Sequence, residues 1–446
     1  MPRLTLIYPR IGGLPGRRYV RSWQMEPLSI AALIAHTPPE WKVTFFDDRL
    51  EDIDYSAPTD LVGISIDTYT ARRGYQIARK YRDRGIKVVL GGYHPTLCPD
   101  EAVEQADAIC VGEAEPVWRR MLSDAIEGRL ARRYDGRQED LAAVRFDRSA
   151  FRGKSYYPLA LVEAGRGCPF QCGFCSVSAF HHATYRRRPV EAVLDDLRKV
   201  RKRLVFFVDD NLAGNRANAR ELFEAITPLG LRWIGQASID VARDPQLLSA
   251  MVRSGCMGLL IGFESLDGGN LALMGKSVNR LADYKEAMAR FRKAGILIYG
   301  SFVFGYPHDT PALFANTVRF ARDEKLFAAA FAHLVPFPGT PLYADLKAEN
   351  RFRYDAWWLS SAFRFGEAPF EPQAMTAAEL DSQCHEARRS FYSWPSILRR
   401  AMDFQANCGT PMKALQYLGA NALLRKEISR KRGIPLGDEP GICGAS

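Results

Sequence analysis

The chain has 446 residues, a net charge of +10, 47% apolar residues and 25% charged residues, the composition of an ordinary globular protein with room for two or more domains. No run approaches the ~18 uninterrupted apolar residues of a transmembrane helix, and the N-terminal strand pattern is too short for a signal peptide. Nine cysteines without framework-like spacing argue against a secreted disulfide protein and favour a cytoplasmic location. Basic and acidic residues are mixed along the predicted helices, as on solvated faces, so no nucleic-acid partner is expected.

The first 145 residues alternate short apolar runs with helical stretches. The predicted strands are Leu4–Tyr8, Lys42–Phe46, Leu61–Ile66, Lys87–Leu90 and Ala108–Val111, and the predicted helices are Pro27–Ala35, Ala71–Arg84 and Cys98–Ala106. This alternation predicts a parallel sheet with helices on both faces, whose ligands bind at the carboxyl ends of the strands. Small and polar residues lie at those ends, namely Asp47, Asp48, Ser65, Thr68, Gly91, Gly92, Gly112 and Glu113. The pattern fits a ligand that approaches the backbone closely, and it fits ordinary turns equally well.

Residues 146–345 repeat the alternation with longer units. The predicted strands are Ala160–Glu163, Leu204–Val208, Arg232–Ala237, Gly258–Phe263, Leu297–Phe304 and Ala328–Val335. The predicted helices are Val190–Arg201, Ala217–Thr227, Pro245–Ser254, Leu281–Ala294 and Ala312–Asp323. Such strand–helix units predict a closed or partial (β/α)6 barrel with its chemistry at the carboxyl ends of the strands.

Three cysteines, Cys168, Cys172 and Cys175, follow the first of these strands after a predicted turn at Gly165–Gly167. Thiolates this close together are placed to hold one metal centre, and they select an iron–sulfur cluster or zinc. A cubane held by three cysteines leaves one iron open for a substrate. The zinc alternative would use His181 or His182 as a fourth ligand, and it is disfavoured because structural zinc modules are small and self-contained.

Residues 346–446 are predicted to form an aromatic-rich, mostly helical C-terminal region. Thr376 and Glu379 have the spacing of a capping box, which starts a helix running to Tyr392. A second predicted helix, Leu415–Arg432, is basic and amphipathic. It suits peripheral contact with a membrane surface, or a solvated helix end whose positive charges favour the helix dipole.

The Cys-x3-Cys-x2-Cys spacing after a first strand, followed by strand–helix units over about residues 157–340, resembles the radical S-adenosylmethionine (SAM) superfamily. The resemblance implies a [4Fe–4S] cluster whose open iron is chelated by SAM, and reductive cleavage of SAM to a 5′-deoxyadenosyl radical. It also implies SAM contacts at the strand ends, from Asp209, Asp210, Gln236, Ser238, Glu264 and Gly305. An electron donor such as flavodoxin or ferredoxin is then expected. Each of these strand-end residues taken singly also fits a helix cap or a turn.

The runs Asp60–Ser65 and Val89–Gly92, with Thr68 between them, resemble the cobalamin-binding Rossmann-like domain. The resemblance implies that Ser65, Thr68, Gly91 and Gly92 line the pocket for the nucleotide tail of cobalamin, with Gly112 and Glu113 at the next strand end. The Asp-x-His-x-x-Gly motif that supplies a histidine to cobalt in that family is absent. The equivalent loop, Arg10 to Ser22, holds Arg10, Arg17, Arg18 and Arg21 but no histidine. Either cobalamin binds without a protein ligand to cobalt, or the domain has kept its shape and lost the cofactor.

The stretches 336–341 and 386–393 resemble the C-terminal region of cobalamin-type radical SAM proteins, a group that includes hopanoid C-methylases. The expected architecture is an α/β protein with a Rossmann-like cobalamin-binding-type domain (1–145), a partial (β/α)6 radical SAM barrel (146–345) and a helical C-terminal cap (346–446). The implied activity is methylation of an unactivated carbon in a small-molecule or lipid-like substrate. The alternatives are another SAM-derived reaction, such as aminocarboxypropyl transfer or a ring rearrangement, and a non-enzymatic iron–sulfur or zinc protein.

Overall fold

The structure is a computed structural model that describes residues 1–13, 24–137, 139–200, 202–430 and 432–438. The chain forms two compact units. The first contains residues 1–157, 354–365 and 433–438, and the second contains residues 158–353 and 366–432. The C-terminal hundred residues therefore contribute to both units.

A six-stranded parallel sheet forms the centre of the first unit. Its strands are β1 (Arg3–Tyr8), β2 (Lys42–Asp47), β3 (Leu61–Ser65), β4 (Lys87–Gly91), β5 (Ala108–Gly112) and β6 (Arg133–Gly136), in the order β2-β1-β3-β4-β5-β6. Leu4, Leu6 and Ile7 of β1 are fully buried, as expected for a central strand of a parallel sheet. The strand order reverses between β1 and β3, and crevices at such switch points bind ligands.

The helices of the first unit are α1 (Leu28–His36), α2 (Ala71–Arg82), α3 (Tyr93–Leu97), α4 (Pro99–Ala102) and α5 (Trp118–Ile126). The predicted helix over Cys98–Ala106 is present only as the short α4, which begins one residue later and ends at Ala102, and α3 was not predicted. Cys98 is non-helical (φ −131°, ψ 60°) and separates the two helices. Cys98 precedes Pro99, and the proline ring disfavours the helical conformation in the residue before it. Strand β6 and helix α5 were not predicted.

The second unit contains a six-stranded parallel sheet whose strands pair in chain order. They are β7 (Ala160–Val162), β10 (Leu204–Phe207), β11 (Arg232–Ala237), β12 (Cys256–Glu264), β13 (Leu297–Phe304) and β14 (Ala328–His333). The described parts of the two end strands, β7 and β14, do not pair with each other, so the array is open. This topology agrees with the predicted partial barrel.

A short antiparallel ribbon, β8 (Gly165–Gly167) with β9 (Tyr185–Arg187), encloses the segment that carries the three cysteines. The prediction of a simple turn at 165–167 is therefore wrong. The two strands approach very closely, since a Cβ atom on Gly165 would lie 2.8 Å from the carbonyl oxygen of Arg186. The partner strand lies about twenty residues along the chain, beyond the reach of a local pattern.

Eleven α-helices have described bounds in the second unit: α6 (Ser176–His181), α7 (Val190–Val200), α8 (Arg216–Ile226), α9 (Pro245–Arg253), α10 (Gly268–Leu273), α11 (Tyr284–Lys293), α12 (Pro311–Asp323), α13 (Pro341–Ala348), α14 (Ala377–Phe391), α15 (Trp394–Ala401) and α16 (Pro411–Glu427). The predicted capping box is confirmed, because Thr376 and Glu379 bond each other's backbone at the start of α14. The predicted helix 415–432 instead runs over Pro411–Glu427, with Thr410 as its N-cap. No described helix is long and apolar enough to cross a membrane.

Stacked aromatic rings hold α14 against the sheet of the second unit. Phe302 of β13 stacks on Phe263 of β12 and on Phe331 of β14, with ring centroids 5.4 and 5.5 Å apart. Phe391 of α14 lies 5.5 Å from the ring of Phe331. All four rings are fully buried, so the C-terminal helix is part of the core that positions the strand ends.

Candidate functional site

The cysteine loop runs from Cys168, directly after β8, to Cys175, the residue before α6. Hydrogen bonds from its backbone fix it at both sides: Gly173 N donates to Met274 O (3.1 Å), and Gly173 O accepts from Leu342 N (3.0 Å). Cys175 N donates to Cys172 O at 3.1 Å. Cys172 is buried, while Cys168 and Cys175 are partly exposed. Backbone hydrogen bonds to residues after α10 and at the start of α13 thus hold the loop.

Nearby positive charge would stabilise the thiolate forms of the buried cysteines. Burial raises the pKa of Cys172 to about 11, and burial also raises the pKa of Cys168. The Lys276 ammonium opposes both shifts, and bound iron would add further positive charge that stabilises the thiolates. Among the described residues, no group of three His, Cys, Asp or Glu side chains is arranged to hold a single metal ion. In a cubane, each of three cysteines binds a different iron, and the donor set here is three soft sulfurs.

Two buried side-chain oxygen atoms beside this loop have no hydrogen-bond partner in the part of the chain that the structure describes. Asp209 follows β10; its Oδ2 accepts from Ala164 N (2.9 Å), while its Oδ1 has no hydrogen-bond partner among the described residues. Asn211 Nδ2 donates to Ser238 Oγ (2.9 Å) and lies 3.9 Å from Cys168 Sγ, while its Oδ1 is likewise unpartnered. Burial raises the pKa of Asp209 well above its ordinary value. Buried acceptors without donors are costly, so both oxygens are suited to a bound donor such as an ammonium group.

The neighbouring predicted residues connect the strand ends to one another. Asp210 Oδ2 accepts from Gly167 N at 3.1 Å, which ties β8 to the end of β10. Gln236 Nε2 donates to Asp209 O at 3.3 Å, and Ser238 bonds Asn211 as described above. The structure therefore brings Asp209, Asp210, Gln236 and Ser238 together next to Cys168.

Glu264 ends β12 in the left-handed region (φ 64°) and is 6% exposed. Its Oε1 lies 2.9 Å from Lys276 Nζ, and the side chain of Lys276 is 15% exposed. Burial alone would lower the pKa of Lys276, but Glu264 and Cys172 raise it above its ordinary value. The lysine is therefore held charged beside the cysteine loop, where it would attract a carboxylate.

Lys276 is a functional candidate that sequence reasoning missed. It lies in the short turn after α10, and nothing local distinguishes it from the many exposed lysines of the chain. The signal that would have found it is its position twelve residues after Glu264, the strand-end acid with which it pairs.

Gly305 lies just after β13, where close packing and a positive φ leave no room for a larger residue. Its φ is 124°, and a Cβ atom there would lie 2.9 Å from Phe370 Cζ. Its backbone N donates to Asp309 Oδ2 at 2.5 Å, and burial raises the pKa of Asp309 to about 6. The role of Gly305 in the approach of adenine stays a prediction.

In the first unit, Ser65 and Gly91 are register partners at the carboxyl edge, and Ser65 lies at the β1–β3 switch point. Ser65 Oγ donates to Ser29 Oγ at 3.1 Å. Thr96 Oγ1 donates to Gly92 O and accepts from Gly112 N, both at 2.8 Å, so the ends of β4 and β5 are linked. Ser65, Gly91, Gly92 and Gly112 thus place small groups at this part of the edge, which fits the close approach of a large cofactor.

The identities of the other predicted residues at this edge are explained by backbone conformation, close approach or burial. A Cβ atom on Gly92 (φ 106°) would lie 2.5 Å from Ile66 O, and one on Gly112 (φ 81°) would lie 2.1 Å from Gly136 O. Thr68 and Glu113 are buried, and Glu113 N donates to Gly136 O at 2.8 Å. Their contact with cobalamin remains a prediction.

Arg10 follows β1, at the start of the loop that is equivalent to the histidine-bearing loop of cobalamin-binding domains. It is ion-paired with Asp48 and Asp438. Arg73 donates to Asp48 through two nitrogens at 2.8 Å and to Asp438 at 2.5 Å. Arg17, Arg18 and Arg21 lie outside the described residues.

Comparison with known proteins gives the same two domains in the same order. The radical SAM superfamily model matches residues 162–321, and the B12 binding domain model matches residues 34–121. The chain is 30% identical over 389 residues to bacteriochlorophyllide d C-12(1)-methyltransferase of Chlorobaculum tepidum, covering 84% of each chain. It is 26% identical over 352 residues to hopanoid C-2 methylase of Rhodopseudomonas palustris, covering 74% of this chain and 66% of that protein. The chain belongs to the cobalamin-dependent radical SAM methyltransferases.

The fold is also similar to that of the radical SAM methyltransferase TsrM from Kitasatospora setae, solved with cobalamin and a [4Fe–4S] cluster bound. The TM-score is 0.67 at 15% identity, covering 96% of this chain and 99% of that one. Membership of the family confirms the predicted enzyme class and the cofactor set of [4Fe–4S] cluster, SAM and cobalamin. The B12 model match begins at residue 34, after the loop that lacks the histidine.

The family assignment replaces the zinc alternative, and the two histidines named for it have other roles. His181 is buried, and its Nδ1 lies 3.0 Å from Arg186 Nη2. His182 is exposed and takes the left-handed conformation (φ 51°) that ends α6.

Proposed function

We propose that this radical SAM enzyme methylates an unactivated carbon of a lipid-like or pigment-like molecule. The observation that carries the chemistry is the pair of buried, unpartnered oxygens, Asp209 Oδ1 and Asn211 Oδ1, beside the three-cysteine loop. The names of two relatives, a bacteriochlorophyllide methyltransferase and a hopanoid methylase, support the substrate class.

The site residues provide complementary groups for the amino and carboxylate groups on the α-carbon of SAM. The oxygens Asp209 Oδ1 and Asn211 Oδ1 would accept hydrogen bonds from the amino group, and Lys276 would donate to the carboxylate. Charge-assisted hydrogen bonds of this kind are the stronger ones in proteins. Glu264 keeps Lys276 charged and oriented, and Gln236 and Ser238 fix the neighbouring strand ends.

When bound, the cluster, SAM and cobalamin supply the electron, the radical and the methyl group, while the protein supplies binding and orientation. Cys168, Cys172 and Cys175 would hold the cluster. The buried strand ends keep water from the reacting groups, and the rigid cysteine loop holds the sulfurs in register. Ser65, Gly91 and Gly92 form the edge that would receive cobalamin, and an electron carrier such as flavodoxin or ferredoxin would reduce the cluster.

The test uses anaerobically reconstituted full-length enzyme with SAM and dithionite. We expect about four irons per chain and release of 5′-deoxyadenosine, both lost when Cys168, Cys172 and Cys175 are replaced by Ala. A matched control replaces Cys98, Cys256 and Cys408, which are also partly exposed free cysteines, and should keep its iron. Unchanged iron in the first variant would overturn the cluster assignment.

Methylation is tested separately from SAM cleavage. SAM labelled in its methyl group is supplied with bacteriochlorophyllide d or a hopanoid and with added cobalamin, whose visible spectrum reports binding. Transfer of the methyl label to carbon supports the proposal. Transfer of the aminocarboxypropyl group instead, followed in a parallel reaction with SAM labelled in its carboxyl carbon, or failure to bind cobalamin, would contradict it.

A further inference from the structure

Large apolar side chains lie exposed on the last two helices of the second unit. Eight of the fifteen exposed large apolar residues in the described chain fall between residues 394 and 423, with exposures from 38% to 75%. We call this set the C-terminal apolar face; its members are Trp394, Leu398, Met402, Phe404, Met412, Leu415, Leu418 and Leu423. Exposed apolar residues occur singly on most proteins, and such a concentration marks an interaction site.

Helix α16 is apolar on two opposite sides. Its inner side packs on α15: Tyr417 Oη donates to Ile397 O (2.9 Å), and Asn421 Oδ1 accepts from Arg400 Nη2 (3.0 Å). With 100° between successive residues, Met412, Leu415 and Leu423 lie on the side opposite Tyr417. A helix that only covers a core has a polar outer side, so the outer side of α16 is built for a second apolar contact.

Helix α15 repeats this arrangement. Ile397 and Arg400 are buried, while Trp394 and Leu398, four residues apart, are 49% and 59% exposed. The chain leaving α15 adds Met402 and Phe404, which are 61% and 75% exposed.

The surroundings of the apolar face are strongly basic. Residues 394–432 contain eight lysines and arginines but only two acidic residues. Both acids are engaged: Asp403 accepts from the backbone N–H groups of residues 405 and 406, and Glu427 bonds Arg430 at 2.8 Å. Arg425 and Lys426 are exposed, and Arg399 is also exposed but pairs with Asp323 at 2.9 Å.

Exposed apolar side chains bordered by lysine and arginine are the chemistry of a helix lying in an anionic membrane interface. A second copy of the chain would bring like charges together. We propose that the C-terminal apolar face binds the surface of an anionic lipid bilayer, with its apolar side chains among the headgroups and its basic side chains against the phosphates. The proposal does not depend on which molecule is methylated.

Trp394 provides a direct readout. The other described tryptophans, Trp41, Trp118, Trp233, Trp357 and Trp358, are buried. Full-length reconstituted enzyme is mixed with vesicles of phosphatidylcholine alone, or of equal parts phosphatidylcholine and phosphatidylglycerol. We expect co-sedimentation and a blue shift of the fluorescence with the anionic vesicles, weakening as salt is added. The shift should be lost in Trp394→Phe.

Two double variants separate the proposal from general effects of added charge. L398E/L415E should bind anionic vesicles about tenfold more weakly, while retaining SAM cleavage as evidence of folding. I126E/V252E changes residues that are 59% and 43% exposed but lie outside the apolar face, and it should bind like the unmodified enzyme.

Three results would overturn the proposal. The first is no binding to anionic vesicles at low salt, and the second is equal loss of binding in the control variant. The third is a lipid-free dimer that L398E/L415E abolishes, since the apolar face would then belong to a contact between copies.

Discussion

Lys276 and Glu264 form a buried ion pair whose cationic end lies beside the cysteine loop. Removing one partner of such a pair leaves the other charge buried and uncompensated. A bound carboxylate would give Lys276 a second acceptor. In the proposed site, SAM supplies that carboxylate.

Replacing Lys276 by Gln should weaken SAM binding by about tenfold or more, because a hydrogen bond to a charged group is lost. The measurement is equilibrium binding of SAM to the reconstituted enzyme, together with the rate of 5′-deoxyadenosine formation. Lys276→Arg should recover part of the affinity. Lys285→Gln, at an exposed position of α11, serves as the control and should bind SAM normally. Unchanged affinity in Lys276→Gln would remove Lys276 from the site.

His333, at the end of β14, makes stability depend on pH. Burial, together with Arg388 and Arg432, lowers the pKa of His333 to about 3. Below the ordinary histidine pKa of ~6.5, the unfolded chain binds a proton that the folded chain does not, so stability falls as the pH falls from ~6.5 towards ~3. Between pH 7 and pH 5 this group alone should cost about 2 kcal/mol.

The corresponding test compares urea unfolding of the chain with and without His333→Gln at pH 7 and pH 5. The difference in free energy of unfolding between the two pH values should be smaller in the variant by the contribution of His333. Asp381, whose pKa burial raises to about 6, acts in the opposite direction, and its Oδ1 lies 3.7 Å from His333 Nδ1. Both proteins in this comparison therefore carry Asp381→Asn, so that only His333 differs. Equal pH dependence in the two proteins would show that His333 titrates normally when folded.

At the scale of elements, the turn from β4 into α3 depends on one backbone conformation. Gly92 has φ 106° and ψ −165°, and a Cβ atom there would meet the carbonyl oxygen of Ile66. Gly92→Ala should therefore lower the free energy of unfolding by about 3 kcal/mol. Gly128→Ala is the matched control: its φ is also positive (69°), but its surroundings are open, so a loss of only about 1 kcal/mol is expected. Equal losses measured by urea unfolding would show that the contact with Ile66 is unimportant.

Local patterns were enough to predict most elements of both sheets. All eleven predicted strands exist, and β11 and β13 have the predicted bounds, because each is an apolar run bounded by turn residues. Two of the missed pieces depend on partners far along the chain. The β8–β9 ribbon requires a second strand, and the burial of Lys276 arises only when β12 and the turn after α10 come together. The cysteine loop could be predicted as a metal site because its three thiols lie within eight residues of sequence, whereas Lys276 carries no such local mark.

At the scale of the whole molecule, three separate segments of the chain form the first unit, residues 1–157, 354–365 and 433–438. Trp358, from the second segment, donates from its indole nitrogen to both carboxylate oxygens of Glu101, at 3.1 and 3.0 Å. Asp438, from the third, pairs with Arg73 and Arg10. The first unit is therefore stabilised by residues that lie far from its sheet in sequence.

Asp438→Asn should lower the free energy of unfolding by about 2 kcal/mol, because the buried Arg73 loses one of its two carboxylate partners. The control is Asp60→Asn, which breaks an ion pair with Arg3 whose side chains are both 45% exposed, and should change stability by less than about 1 kcal/mol. Urea unfolding of both variants measures the difference. A double-mutant cycle with Arg73→Gln that shows no coupling would contradict the assignment.

The late arrival of Trp358 and Asp438 has a consequence during synthesis. The six strands of the first sheet leave the ribosome first. Trp358, which bonds Glu101, and Asp438, which pairs with Arg73, are translated only after most of the second unit. At about 5–20 residues per second, that interval lasts on the order of tens of seconds. A nascent chain stalled before residue 354 should therefore carry a first unit that is looser and more easily cut by protease than the same residues in the finished protein. The unit that begins the polypeptide is the last to be completed.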